Sequence, residues 1–326
     1  MTFNDNARLD TSQVGGGGGG GFRPGGMVIG GGGGCLSIVV LLLFMFFGGG
    51  IPTGGGGTTD QGQSGQNQPQ QQDQGGSIFG DRGDVSGAGG VSTDAFSQCR
   101  TGADANRDKQ CRVIGTVNSV QDYWNKELPQ QSNNQRQWRM TKTILYSGQT
   151  QSACGTASNQ VGPFYCPLDR QVYIDADFFD LLSSQFGADG GNFAQMYVVA
   201  HEYGHALQDQ LNLLDRAQQD PKGPESGGVK IELMADCFAG MWAKDASTTK
   251  DADGNTLLKP LTQTDIDSAL SAASAVGDDH IMKSTSGRVS PENFTHGTSE
   301  QRKRWFMNGY NSQSINSCNT FNASSL

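Results

Sequence analysis

The stretch AQMYVVAHEYGHALQDQL, residues 194–211, places two of the chain's four histidines four positions apart, with a glutamate beside the first. On a helix, residues i and i+4 project in the same direction, so His201 and His205 can share one metal ion. Glu202 falls between them. The result is HExxH, in which two imidazoles hold zinc and the glutamate activates a water for hydrolysis. The helical setting is legible too: Asn192 reads as an N-cap, and Phe193, Met196, Tyr197, Ala200, Gly204, Leu207, Leu211 and Leu214 follow helical spacing. The histidines lie just off that stripe, bordering a core while facing a cleft.

A hydrolytic zinc site takes three protein ligands and leaves a fourth position to water, so a third ligand is needed. IELMADCFAGMW, residues 231–242, offers it, because Glu232 and Asp236 are its only charged residues and are again spaced i, i+4. Carboxylates among Ile, Leu, Met and Phe are costly to bury unless they meet a cation or hydrogen-bond donors. Glu232 is therefore read as the third metal ligand. Asp236 is read as the acceptor for the second ring N–H of a liganding histidine, fixing its tautomer. Two ordinary salt bridges on a half-exposed helix are the alternative. A His2Glu set suits zinc (Zn2+) best, with manganese or cobalt as other occupants.

HExxH followed by ExxAD resembles the glutamate-zinc metallopeptidases. The longer strings GPFYCPLDRQVYID, HEYGHALQ, ELMADCFAGMWA and FTHGTSEQRKRWF resemble the bacterial "putative neutral zinc metallopeptidase" family of single-pass membrane proteins, from about Phe96 to the C-terminus. The resemblance implies an α+β, zincin-like domain, mainly helical with a small sheet. It also implies peptide hydrolysis by a zinc-activated water, with Glu202 as general base and a peptide or protein as substrate. His296, in NFTHGTSEQR, becomes the candidate donor to the oxyanion; His280 is second, with Tyr165 and Tyr203 behind. A histidine capping the adjacent helix explains His296 as well. By position and resemblance, Gln171, Val172, Tyr173 and Ile174 form the edge strand that pairs with substrate backbone. An ordinary sheet edge fits the same residues. The competing class of function is a zinc-stabilised binding or scaffold module, for which Glu202 would be superfluous.

Outward from this core the chain changes character. It has 326 residues, 48 of them glycine, a net charge of −9 and a mean hydropathy of −0.49. The acidic balance argues against nucleic acid as a partner. Residues 1–34 are polar and glycine-rich and are expected to be a disordered cytoplasmic segment. LSIVVLLLFMFF, residues 36–47, carries no charge. Twelve residues fall short of the roughly 20 that cross a bilayer, but glycine-containing flanks extend the run, and residues 35–51 are read as one transmembrane helix. A cleaved signal peptide is the rival reading. Arg8 and Arg23 precede the span, which by the positive-inside rule places the N-terminus inside and the domain in the periplasm or outside the cell. Residues 52–92 read as a flexible Gly/Gln/Ser tether and 93–326 as the peptidase domain; the sequence sets no oligomeric state.

Seven cysteines support an oxidising location. With Cys35 in the membrane segment, six remain and allow fifteen pairings. Spacing suggests Cys99 with Cys111, Cys154 with Cys166, and Cys237 with Cys318. Further elements are a helix over residues 111–128 ending before Pro129, a strand at 171–175, a short helix carrying Phe178, Phe179, Leu182 and Phe186, and a polar loop over 215–228. A helix over 264–276 and a capping box at 298–301 complete the outline. DADGN, residues 251–255, lacks the glycine position and twelfth-position glutamate of a calcium loop and is read as a turn.

Overall fold

The computed structural model describes residues 1–17, 90–91, 96–158 and 161–326. Two short strands, β1 (Val14–Gly17) and β2 (Gly90–Val91), lead into helices α1 (Gly102–Arg107) and α2 (Lys109–Gln131). Five strands follow: β3 (Lys142–Tyr146), β4 (Gln149–Ser152), β5 (Gly155–Ser158), β6 (Phe164–Cys166) and β7 (Gln171–Asp175). The rest is helical: α3 (Phe178–Ser184), α4 (Asn192–Gln210), α5 (Asp215–Gln219), α6 (Gly227–Asp245), α7 (Gln263–Ala275), α8 (Asp278–Ser286) and α9 (Ser299–Ser312).

The centre of the molecule is α6, whose residues 231–243 are all buried. Ser226 caps it by accepting from the Val229 N–H. A helix buried on every side must let neighbours come close, and its small residues do so. A Cβ at Gly240 would stand 2.0 Å from the Phe306 carbonyl oxygen, and one at Gly309 would stand 1.8 Å from that of Cys237. The backbones of α6 and α9 therefore touch, which a side chain at either position would prevent. Thr298 and Gln301 form the expected capping box at the start of α9.

The main sheet has the order β2-β1-β3-β7-β6, with β1, β3 and β7 parallel and the two outer strands antiparallel. This corrects the expected role of residues 171–174. Gln171, Val172, Tyr173 and Ile174 do form a strand, but β7 hydrogen-bonds to β3 on one side and β6 on the other, so it has no free edge for a peptide. The strand that ends the sheet there is β6. Its residues lie within GPFYCP, a segment with too short an alternating run to be read as a strand.

The three disulfides pair as the spacing suggests: Cys99–Cys111, Cys154–Cys166 and Cys237–Cys318. Smaller departures have local causes. Helix α2 runs past Pro129 to Gln131, because proline near a helix end interrupts little of the hydrogen-bond ladder. Gly191 rather than Asn192 is the N-cap of α4, and the loop before α6 contains the single-turn helix α5.

The largest correction concerns the N-terminus. Residues 1–17, expected to be disordered, pack into the domain, with Phe3 and Ala7 buried and Val14 opening a strand of the main sheet. Their low hydropathy hid this, since four well-placed apolar side chains, Met1, Phe3, Ala7 and Val14, and backbone pairing suffice once a docking surface exists. The expected transmembrane helix at 35–51 lies outside the described residues, as does most of the expected tether at 52–92. Among the described residues no helix is long and apolar enough to cross a membrane.

Candidate metal centre

Helices α4 and α6 cross at Gly204, where a Cβ would stand 3.0 Å from both the Cα and the carbonyl oxygen of Ala235. That contact sets the ligand faces against each other: His201 and His205 flank the crossing on α4, and Glu232 and Asp236 flank it on α6. One ligand atom from each of His201, His205 and Glu232 lies within 4.8 Å of the others. His201 Nε2 is 3.1 Å from Glu232 Oε2, and His205 Nε2 is 3.5 Å from Oε1. Ligand atoms about 2.0–2.1 Å from a tetrahedral zinc stand about 3.3 Å apart, so this donor set fits the ion.

Both imidazoles are oriented from behind. His201 Nδ1 donates to Asp236 Oδ1 at 2.8 Å, and His205 Nδ1 donates to Gln208 Oε1 at 2.8 Å. Gln208 is itself fixed by donating to the Ile231 carbonyl. These contacts assign the proton to Nδ1 in each ring and leave Nε2 free to face Glu232. Asp236 thus stands where the sequence placed it, while Gln208 was missed. Its position one helical turn below His205, at i+3, was the available signal.

The charge balance calls for a cation. Glu202, Glu232 and Asp236 are buried carboxylates, and among the described residues one fixed positive charge, Arg302, meets them. Burial works against the charged forms, yet the neighbouring histidines hold Glu232 well below the usual carboxylate range. Burial likewise opposes Asp236, but Arg302 and His201 keep its pKa at about 2. Burial also disfavours the charged His201 ring, but Asp236 and then Glu232 raise it to about 9.

Arg302 is the residue sequence reading missed that matters most. It lies 3% exposed on α9 and forks onto Asp236, Nε to Oδ2 at 2.8 Å and Nη2 to Oδ1 at 2.9 Å. Tyr197, one turn before His201, donates to the same Oδ1. Arg302 had a signal: it precedes Trp305 and Phe306 by three and four positions, which puts it on the buried face of its helix.

His296 sits in the turn before α9, 3% exposed. Asp278, the fully buried first residue of α8, holds that turn. Its Oδ2 accepts from the backbone N–H groups of Thr295, His296 and Gly297, and its Oδ1 lies 3.2 Å from His296 Nδ1. The other ring nitrogen, Nε2, is buried and has no hydrogen-bond partner. An orphaned buried nitrogen is uncommon and points to a missing partner. The other candidates are occupied or remote in role: Tyr203 is bonded to Thr143 and Thr141, Tyr165 donates to Asp209, and exposed His280 meets the Phe186 carbonyl.

The family model described as "Putative neutral zinc metallopeptidase" matches residues 85–321. An uncharacterized protein of Mycobacterium tuberculosis, Rv2575, is 51% identical over 232 residues, 71% of this chain and 77% of the relative. The uncharacterized protein YpfJ of Escherichia coli is 36% identical over 225 residues, covering 67% of this chain and 74% of the relative. No solved structure matches the chain.

Proposed function

Since this chain belongs to the "putative neutral zinc metallopeptidase" family, we propose that it is a zinc-dependent peptidase in which His201, His205 and Glu232 hold the ion and Glu202 is the general base. The observation that carries the reading is the convergence of three ligand atoms from two helices beside a buried carboxylate that is not itself among them. A zinc ion held by His201, His205 and Glu232 would supply a Lewis acid and a bound water acidic near neutral pH. Glu202 takes the water's proton and passes it to the leaving amine. Burial raises the Glu202 carboxyl, against the pull of His205 and His201, toward the range a base needs.

His296 is the group suited to the developing oxyanion, with Asp278 as the residue that positions it. Thr295 Oγ1 stands 3.0 Å from His296 Nδ1 and donates to it in the tautomer that carries the ring's proton on the unspent Nε2, which makes that nitrogen a hydrogen-bond donor. His296→Ala is expected to lower turnover by about 10²–10³-fold with zinc content unchanged. A loss of less than threefold removes His296 from the mechanism.

The edge of β6, which has no strand beyond it among the described residues, is the better candidate for pairing with substrate backbone. Tyr165 on β6 donates to Asp209 at 2.9 Å, and Asp209 lies on the line of His201 and His205 two helical turns on, so that edge is fastened to the metal-bearing helix. Three disulfides favour an oxidising compartment outside the cytoplasm.

The test is metal content and quenched-peptide hydrolysis by the full chain. One zinc per chain is expected, with hydrolysis lost on chelation and restored by zinc. Stoichiometric zinc without cleavage of a broad peptide library would favour a zinc-stabilised binding module instead. A chain that takes up no metal with its disulfides formed would overturn the reading.

A further inference from the structure

The end of the sheet fastened to α4 carries more positive charge than its own contacts use. Residues 128–168 contain Arg136, Arg139 and Lys142 and no acidic residue, in a chain of net charge −9, and Arg170 follows two positions on. Arg136 is committed, since its Nη1 donates at 2.7 Å to the Gln210 carbonyl at the end of α4. Arg139 and Arg170 are not. Both approach Asp209 Oδ2, Arg139 through Nη2 at 3.3 Å and Arg170 through Nε at 4.0 Å, and Tyr165 already donates to that oxygen at 2.9 Å. Asp169, the other carboxylate at this end, is occupied by the Tyr173 hydroxyl and by the N–H groups of Ala153 and Gln171. One carboxylate needs one guanidinium, and neither arginine makes the two-pronged contact that uses its donors. Among the described residues neither guanidinium has another acceptor, and the two side chains are 48% and 60% exposed.

Two further observations mark this rim as a surface that another chain covers. Arg170 has a φ of 59°, a left-handed backbone held by its N–H donating to the Cys166 carbonyl at 2.7 Å. Glycine or asparagine adopts that conformation at less cost, so the turn carries an arginine against the preference of its backbone. Met140 and Leu168, two of the three large apolar side chains exposed among the described residues, lie beside Arg139 and Arg170 in the chain. All four precede the Lys142–Gln171 pair that opens the parallel β3–β7 ladder, so they share one end of the sheet. Arginine and methionine are the residues enriched where a partner covers a protein surface.

The metal-bearing helix fixes where this rim stands. Asp209 lies four positions after His205 on the same face of α4, about 6 Å further along its axis. A peptide paired with the edge of β6 advances about 3.3 Å per residue, so a side chain roughly two to four residues from the cleaved bond reaches the two arginines. We propose that Arg139 and Arg170 form a subsite for an Asp or Glu side chain of the peptide substrate, which makes the site selective for acidic peptides. The proposal rests on the peptidase reading and on the edge of β6 as the strand that receives substrate. The unspent guanidinium donors meet the substrate carboxylate, while Asp209 keeps the Tyr165 hydroxyl.

The test reads binding apart from cleavage. The full chain carrying Glu202→Gln, with zinc added, is titrated with dye-labelled, C-terminally amidated peptides in which a single Glu is moved along an Ala/Leu background, each beside its Gln twin. At one or two adjacent positions the Glu peptide is expected to bind about fivefold more tightly than its twin, with the preference shrinking as salt is added. Adding Arg139→Gln and Arg170→Gln together should bring that ratio below twofold, and adding Arg170→Glu alone should favour a Lys peptide over the Gln twin. If no position prefers Glu, whatever the overall affinity, the proposal is overturned; a preference that survives the double arginine variant overturns it too. A preference seen only with peptides bearing a free C-terminal carboxylate assigns the arginines to the chain end and overturns the acidic side chain. Hydrolysis by the unaltered chain separates the two readings. Selective binding without cleavage removes the peptidase and leaves the subsite, whereas cleavage without charge preference removes the subsite and leaves the peptidase.

Discussion

Glu202→Gln is expected to leave the fold and the zinc content as they are and to lower peptide hydrolysis by about 10²–10⁴-fold, the range for losing a positioned general base. The argument rests on where Glu202 stands. It is 5% exposed on the face of α4 that carries His201 and His205, but the cluster of metal-ligating atoms is completed by Glu232 on α6, without it. A glutamine has the same shape and keeps the hydrogen-bonding oxygen, so neither packing nor the ligand set changes. What disappears is the ability to take a proton. It also removes one buried negative charge, so zinc binding should, if anything, lose only the electrostatic help of a neighbour. Glu202→Asp sharpens the test: it restores a base one methylene short and should recover part of the activity, a pattern that a loss of folding would not give. Cleavage by Glu202→Gln within threefold of the wild type, at equal zinc occupancy, would end the general-base assignment.

The part of the site that the sequence disclosed is the part held by local spacing. His201 and His205 are four apart on one helix, and Glu232 and Asp236 are four apart on another, so each pair's shared direction follows from helical geometry alone. How the pairs meet depends on the crossing at Gly204 and Ala235, which no spacing announces. Residues that act across elements were correspondingly hidden. Arg302 reaches Asp236 from a helix 66 positions later, and Asp278 reaches His296 across 18. The same contrast holds for the fold. Helices with caps and apolar faces were read to within a few residues. The sheet was not, because its order brings Val14 beside Thr143 through pairing between backbones far apart in sequence. Residues 1–17 are the extreme case: their composition reads as unfolded, and their structure is supplied by glycines and asparagines of other elements.

Arg302→Met is expected to destabilise the metal-free protein by about 3–5 kcal/mol, the cost of stranding one member of a buried ion pair. Asp236 has no exposed surface, and among the described residues Arg302 is the only guanidinium bonded to it. Without that fork the carboxylate keeps only Tyr197 and His201 as donors. Urea unfolding with disulfides intact measures the loss. A second effect should accompany it, because Asp236 also fixes the His201 tautomer: zinc affinity is expected to fall by about 10–100-fold, the usual cost of disturbing an outer partner of a liganding histidine. The two effects separate in the double variant Arg302→Met with Asp236→Leu. Removing both charges leaves no stranded carboxylate, so much of the stability should return. His201 Nδ1 would then have no acceptor, and zinc affinity should stay low. Arg302→Lys, which keeps the charge but cannot make the two-pronged contact, should fall between wild type and Arg302→Met on both measures. If the double variant recovers zinc affinity along with stability, Asp236 supports the fold and not the metal. If Arg302→Met unfolds within 1 kcal/mol of the wild type, the buried fork is not what holds α9 against α6, and the touching backbones at Gly240 and Gly309 carry that contact alone.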